Sequence, residues 1–253
     1  MRIDLDIPCN RAIFVADSHL NADDLHVRDF IRLAEDACLR GSALFLLGDI
    51  FDLWFGADAL TFRFQRPVVE RLRALRREGL KAYYVEGNRD FFIKRRYEGE
   101  LFEHVAEGGI RVRIGDQTVY LSHGDTVNRA DLAYRFWKGI SKNRVAFGLA
   151  EMLPASIVLP LADRIEKRLK PTNPRFKGRF PESEIVAFAD KTFEEGADMV
   201  LLGHFHTEFL RTTGIADRSR TLAVLPCWKE SHRALLLDEE GVARFVRLPD
   251  DAR

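Results

Sequence analysis

Five short apolar runs, each broken off by polar residues, constrain this chain more than anything else in its sequence. Ala12-Ile13-Phe14-Val15-Ala16 runs into Asp17, and Ala43-Leu44-Phe45-Leu46-Leu47 into Gly48-Asp49. Ala82-Tyr83-Tyr84-Val85 leads to Gly87-Asn88, Val119-Tyr120-Leu121 to Ser122-His123, and Met199-Val200-Leu201-Leu202 to Gly203-His204. Runs this short, rich in branched and aromatic side chains, read as strands buried on both faces. Helical periodicities lie between them. Asp23 or Asp24 is expected to cap a helix with Val27, Phe30, Ile31, Ala34, Ala37 and Cys38 on its apolar face, stopped by Gly41. Pro67 to Glu78 repeats the pattern with Val68, Leu72 and Leu75, and Pro181 to Glu195 with Ile185, Phe188, Ala189 and Phe193. Thr221–Leu225, Ala234–Leu237 and Val242–Leu248 read as further strands, with Glu240-Gly241 in a tight turn. The alternation predicts a layered α/β protein with two sheets enclosed by helices.

The alternation fails from Asn128 to about Phe180. No strand signal occurs there, and Pro154, Pro160, Pro171 and Pro174 interrupt a helical pattern. The expectation is one domain over residues 1–253 with a helical cap inserted at about 128–180, which 253 residues can accommodate. The N-terminus shows no apolar signal segment, and no run of about 18 apolar residues predicts a transmembrane helix. Cys9, Cys38 and Cys227 are odd in number and in no CxxC spacing, which fits free thiols in a reducing, cytoplasmic compartment. Formal net charge is zero, so no nucleic-acid partner is expected from the chain as a whole.

The polar residues that end the runs carry the chemistry. Asp17 and His19 are two apart, as are His204 and His206, a spacing that puts both side chains of a pair on one side of an extended strand end. Ligands of α/β sheets collect beyond the carboxyl ends of strands. Asp17, His19, Asp49, Asn88, His123, His204 and His206 converging there would hold two divalent metals, one carboxylate being shared. A lone Asp-x-His or Gly-Asp is ordinarily a turn; the weight comes from all five clusters occurring in order, each behind an expected strand.

The ordered set Asp17-Ser18-His19, Gly48-Asp49-Ile50-Phe51-Asp52, Gly87-Asn88-Arg89-Asp90, His123-Gly124-Asp125 and Gly203-His204-Phe205-His206 resembles the calcineurin-like metallophosphoesterase superfamily. The resemblance implies a four-layer α/β/β/α sandwich of two mixed sheets. It assigns one metal to Asp17, His19 and His206, a second to Asn88, His123 and His204, and the bridge to Asp49. Where that superfamily usually carries a histidine that protonates the leaving group, this chain has Arg89. Arginine stays protonated and is no general acid, but it binds an anionic oxygen well. The site therefore suits a leaving group that departs as an anion, such as a phosphate. The plainer role for Arg89, compatible with the first, is to pair with Asp90.

Gly87-Asn88-Arg89-Asp90-Phe91 is similar to the motif of UDP-2,3-diacylglucosamine diphosphatases, and Asp131 and Tyr134 stand where that family has an aspartate and a tyrosine beyond His123. Glu86 departs from it, a histidine being common there. The resemblance implies cleavage of a UDP-linked acylated sugar to UMP and 2,3-diacylglucosamine 1-phosphate in lipid A synthesis, usually with manganese. Arg89, His204 and Asp49 would carry the reaction, and Asn88, Arg89, Asp131 and Tyr134 would bind substrate.

The inserted segment adds its own signals. Between Val145 and Ala162 only Glu151 is charged, and Leu149, Met152, Leu153, Ile157, Val158, Leu159 and Leu161 crowd together. Such a segment either packs on its own apolar face or receives acyl chains and meets a membrane. From Arg135 to Arg179 eleven basic residues, Lys170 and Lys177 among them, face three acidic ones. A basic, apolar cap would draw anionic lipid surfaces or a diphosphate, so Lys170 and Lys177 join the expected substrate contacts and peripheral contact with the cytoplasmic face of the inner membrane is expected. Two rivals share the fold: a phosphodiesterase or phosphatase acting on soluble nucleotides, and a non-catalytic scaffold. The scaffold is disfavoured because no expected ligand is missing.

Overall fold

The expected strands form, and their alternating side chains build three separate cores. In the computed structural model, which describes residues 3–22, 25–127, 144–154, 156–161, 164, 180–215 and 218–248, fourteen strands are assigned. They are β1 (Leu5–Ile7), β2 (Ala12–Val15), β3 (Ala43–Leu46), β4 (Trp54–Phe55), β5 (Ala82–Val85), β6 (Asp90–Phe91), β7 (His104–Ala106), β8 (Ile110–Ile114), β9 (Gln117–Ser122), β10 (Met199–Leu202), β11 (Phe209–Ile215), β12 (Arg218–Val224), β13 (Arg233–Leu237) and β14 (Ala243–Arg247). One six-stranded sheet runs β14-β13-β2-β3-β5-β7 and the other β1-β8-β9-β10-β12-β11. Both are mixed: β2, β3, β5 and β7 are parallel while β13 runs against β2 and β14 against β13, and β9, β10 and β12 are parallel while β8, with β1 parallel to it, runs against β9 and β11 against β12.

Strand side chains alternate between faces, and each run divides its apolar residues accordingly. Phe14, Phe45, Tyr83, Val119, Met199, Leu201 and Ala223 meet in the space between the sheets. Their neighbours Ile13, Val15, Leu44, Leu46 and Tyr84 face outward onto helices α1 (Val27–Leu39) and α2 (Arg66–Arg77). On the opposite outer face Val200, Leu202, Leu222 and Val224 pack against Ile185, Ala189 and Phe193 of a helix over Glu182–Glu194. The layers are thus helix, sheet, sheet and helix, and unbroken apolar runs are what strands covered on both sides require.

The helix faces include the expected residues, with Leu33 and Val69 added by burial. Helix α1 starts at Val27 with His26 in the cap position and no side-chain cap hydrogen bond; Asp23 and Asp24, the expected caps, lie outside the described residues. β1, β7, β8 and the short helix α3 (Ile93–Tyr97) were not expected. β1 and β7 have three residues each, too few to impose a period.

Most of the inserted segment, including Asp131, Tyr134, Lys170 and Lys177, lies outside the described residues. The part described is helical over α4 (Arg144–Glu151) and over 156–161. Helix α5 is the Glu182–Glu194 element, and α6 follows at Trp228–Ser231. Phe147 is buried against Phe55 and Phe92, with Val158 and Leu159 partly buried in the same cluster. Leu149, Met152, Leu153, Ile157 and Leu161 are exposed. No helix among the described residues is long and apolar enough to cross a membrane.

Candidate metal centre

All seven expected metal ligands gather at one rim of the sandwich, behind strands of both sheets. Asp17 and His19 follow β2, Asp49 follows β3 and Asn88 follows β5; His123 follows β9, and His204 and His206 follow β10. The two pairs do not lie on extended strand ends, as their spacing suggested. Asp17, His19, Asp49, His204 and His206 all have positive φ, between 43° and 71°, so none continues its strand. Non-glycine residues rarely occupy this region, and such strain clusters at functional sites.

The turns are held by cross-links between loops. Asp17 N–H donates to Gly48 O (3.2 Å), His19 N–H to Asp49 O (3.0 Å), Leu20 N–H to Ile50 O (2.8 Å) and Trp54 N–H to Arg89 O (3.0 Å). A parallel two-stranded ladder pairs β4 with β6 beyond the loops. Gly48 and Gly87 make the approach possible. A Cβ on Gly87 would stand 2.2 Å from Asp49 Oδ1, and one on Gly48 would stand 2.7 Å from His123 Nδ1. Gly87→Ala is therefore expected to displace Asp49 and lower metal occupancy. Elemental analysis of the folded variant checks this; wild-type metal content would contradict it.

Two clusters of lone-pair atoms result. His19 Nε2 and His206 Nε2 face each other at 3.2 Å, and Asp17 Oδ1 lies 3.6 Å from the first and 3.4 Å from the second. Asp17 Oδ1 is buried with no hydrogen-bond partner. Next to this, Asn88 Oδ1 is 2.9 Å from His123 Nε2 and 3.0 Å from His204 Nδ1, and Asp49 Oδ2 is 3.7 Å from His123 Nε2. His123 Nδ1 donates to Leu47 O (2.7 Å), which directs Nε2 towards the cluster, as an outer hydrogen bond does for a ligating imidazole. Asp17, His19 and His206 form one group able to hold a cation, and Asp17, Asp49 and His123 another.

The charges of these groups can accommodate a cation. Burial pushes the Asp49 carboxyl up to about 7, helped by Asp90 and Asp17 and opposed by His123 and Arg89. Burial also works against ionisation of Asp17, but His206, His123 and His19 overcome it and hold that carboxyl below its ordinary value. Burial takes His19 down to about 3 and His204 to about 4, so both imidazoles are neutral at pH 7, the form in which a ring nitrogen coordinates a metal. For His123 burial is outweighed by Asp49 and Asp17, and the ring rises to about 9. A divalent ion among these groups would offset the buried carboxylates and displace the His123 proton. The donor set of imidazole nitrogens, carboxylates and an amide oxygen fits divalent transition metals.

The suggested Arg89–Asp90 pair is not made. Arg89 Nη1 reaches Asp52 Oδ1 (3.4 Å) and Asp52 O (3.3 Å), and Arg89 Nε stands 3.6 Å from Asp49 Oδ2. Asp90 is buried and its Oδ2 accepts from Asp49 N–H (3.0 Å), Gly87 N–H (2.7 Å) and the Tyr84 hydroxyl (2.8 Å). It positions the loops that present Asp49 and Asn88, a role the sequence reading missed. Asp52 was missed too: it links Arg89 to His19, whose Nδ1 is 3.7 Å from Asp52 Oδ1. The C-terminal half adds Cys227, whose thiol donates to Asp17 O (3.1 Å), and Lys229, whose Nζ donates to His19 O (3.3 Å). No local sequence signal marks either.

No family model matches the chain. Curated relatives cover it nearly from end to end. The chain is 28% identical to a UDP-2,3-diacylglucosamine hydrolase of Proteus mirabilis (strain HI4320), over 85% of this chain and 90% of that one. It is 28% identical to a protein of the same name from Pseudomonas putida (strain F1), over 90% and 95%. It is 24% identical to one from Haemophilus influenzae (strain PittGG), over 92% and 98%. Over most of its length this chain is similar to curated UDP-2,3-diacylglucosamine hydrolases.

Proposed function

We propose that the chain is a two-metal hydrolase that cleaves the diphosphate of a UDP-linked diacylated glucosamine, giving UMP and the acylated sugar 1-phosphate. The observation that carries this is the convergence of seven donor side chains at the rim with Arg89 beside them in place of an acid, in a chain similar to hydrolases named for that substrate. Asp17, His19 and His206 would hold one ion and Asn88, His123 and His204 the other, with Asp49 shared. When bound, such a pair supplies an activated water and neutralises phosphoryl oxygens.

The chain's own groups do the rest. Arg89, steadied by Asp52 and 3.6 Å from Asp49, would offer a permanent cation to the charge that develops on the phosphate, and His204 would assist from beside Asn88. Asp131, Tyr134, Lys170 and Lys177 are proposed to orient the nucleotide sugar. The exposed apolar side chains of the inserted segment support peripheral membrane contact, proposed to be on the cytoplasmic side, and the mixed imidazole and carboxylate donors suit manganese, iron or zinc better than magnesium, manganese being the ion proposed.

The test is UMP release from the UDP-linked diacyl sugar. Activity should vanish on chelation and return with Mn2+; a metal-free, fully active protein would sink the proposal. Arg89→Ala should lower kcat on diphosphates about 10²–10³-fold, as loss of an electrostatic stabiliser does, with metal content intact. Turnover at the wild-type level would make the arginine merely structural. The nucleotide-directed rival keeps the same centre and is separated from this reading by substrate preference.

A further inference from the structure

Three histidines of the described structure stand outside the rim, and two of them come together with an aspartate. His26 Nδ1 and His232 Nε2 lie 2.8 Å apart, and a carboxylate oxygen of Asp29 completes a group whose three ligand atoms are all within 4.8 Å of one another. All three residues are half-buried, so the group is both built and reachable from solvent. We propose that His26, Asp29 and His232 form a further cation site, for a zinc-class divalent ion, distinct from the centre at the strand ends.

The geometry of each member supports a site over an accident of packing. Two imidazoles joined nitrogen to nitrogen share one proton between two lone pairs, an arrangement that a metal ion relieves by taking both. Zinc bonds imidazole and carboxylate at about 2.0–2.2 Å in a tetrahedron, which sets neighbouring ligand atoms roughly 3.3 Å apart. The two imidazole nitrogens stand 2.8 Å apart and all three ligand atoms lie within 4.8 Å of one another, close enough for small shifts to bring them onto one ion. Three protein ligands leave one position for water.

The backbone adds an independent sign. Seven described non-glycine residues have positive φ. Five are the proposed ligands at the rim, Phe92 precedes α3, and the seventh is His232 at φ 53°. A left-handed residue closing a helix such as α6 is ordinarily glycine or asparagine. The ring is also held: it stacks on buried Trp228 (centroids 5.0 Å apart, 7° between planes), and Trp228 abuts Phe30 of α1 and donates from Nε1 to Leu248 O. Arg32 is a weak competitor for Asp29, at 3.9 Å and mostly exposed. An ion here would tie the start of α1 to the segment whose Cys227, Trp228 and Lys229 grip the backbone of residues 16–19.

The test counts metal. Chelator-treated full-length protein is equilibrated with Co2+, and bound metal is measured by elemental analysis alongside the d–d absorbance. His232→Asn removes the imidazole while asparagine tolerates the left-handed backbone; His26→Gln is the second variant should the first fold poorly. Wild type is expected to bind one equivalent more than either variant. Equal counts in wild type and variants would overturn the proposal. The rim contributes equally to all three proteins, so its own reading fails or stands independently of that difference.

Discussion

Asp49→Asn is expected to reduce hydrolysis by at least roughly 10³-fold while leaving the protein folded. The carboxylate is proposed to be shared by both ions, and metal stabilisation of a phosphoryl transition state is worth several kcal/mol, each 1.36 kcal/mol being tenfold in rate. Asparagine keeps the side-chain volume and the oxygen that accepts from Arg89 N–H (3.0 Å). It removes a charge that burial opposes, but also the charge that attracts His123, two effects that act in opposite directions in the metal-free protein. The measurement is kcat and bound metal for the variant, with its thermal midpoint compared with that of chelated wild type. Retention of both ions and of turnover would remove Asp49 from the centre.

The second large effect concerns the acyl chains. The UDP-linked diacyl sugar is expected to exceed its deacylated counterpart about a hundredfold or more in kcat/KM, since each buried methylene contributes roughly 0.8 kcal/mol. Leu153 and Ile157 are 51% and 55% exposed, so aspartate at either position removes apolar surface without opening a core cavity. Leu153→Asp and Ile157→Asp should depress hydrolysis of the lipid substrate and spare an aryl phosphodiester that needs only the rim. Equal kcat/KM for soluble nucleotides and the acylated sugar would hand the site to the nucleotide-directed reading.

The sheets and the site were legible for one physical reason. A strand covered on both faces must be apolar throughout, so Ala43–Leu47 or Met199–Leu202 can be little else, and the polar residue that ends it is forced to the rim. Some of what escaped was too short to show a period, as β1, β7 and α3 were, and some was set by contacts distant in sequence; β8, whose Ile-Arg-Val-Arg-Ile alternates, carried a signal that was not read. Asp90 looked like a partner for Arg89 because the two are adjacent, yet its hydrogen bonds go to Asp49, Gly87 and Tyr84. The supports from Cys227 and Lys229 lie 210 residues from the residues they hold. The left-handed turns escaped as well, because spacing by two suggests an extended chain and says nothing of loops cross-bonded to one another.

The rim also has a bearing on how the two leaves of the sandwich can move. The space between them is filled with apolar side chains, whose attraction is non-directional and resists sliding only through interlocking shape. At the rim the leaves are joined by directed bonds: His204 N–H to Asp17 Oδ2 at 2.7 Å, and His123 Nε2 against Asn88 Oδ1 at 2.9 Å. Hydrogen bonds weaken over a few tenths of an ångström and a few tens of degrees, far less travel than a greasy contact tolerates. The same holds at the far end, where the Gln117 side chain at the start of β9 donates to Gly241 O (2.7 Å) in the turn between β13 and β14, so the apolar filling is bracketed by directed ties and the leaves keep their register where the chemistry is proposed to occur.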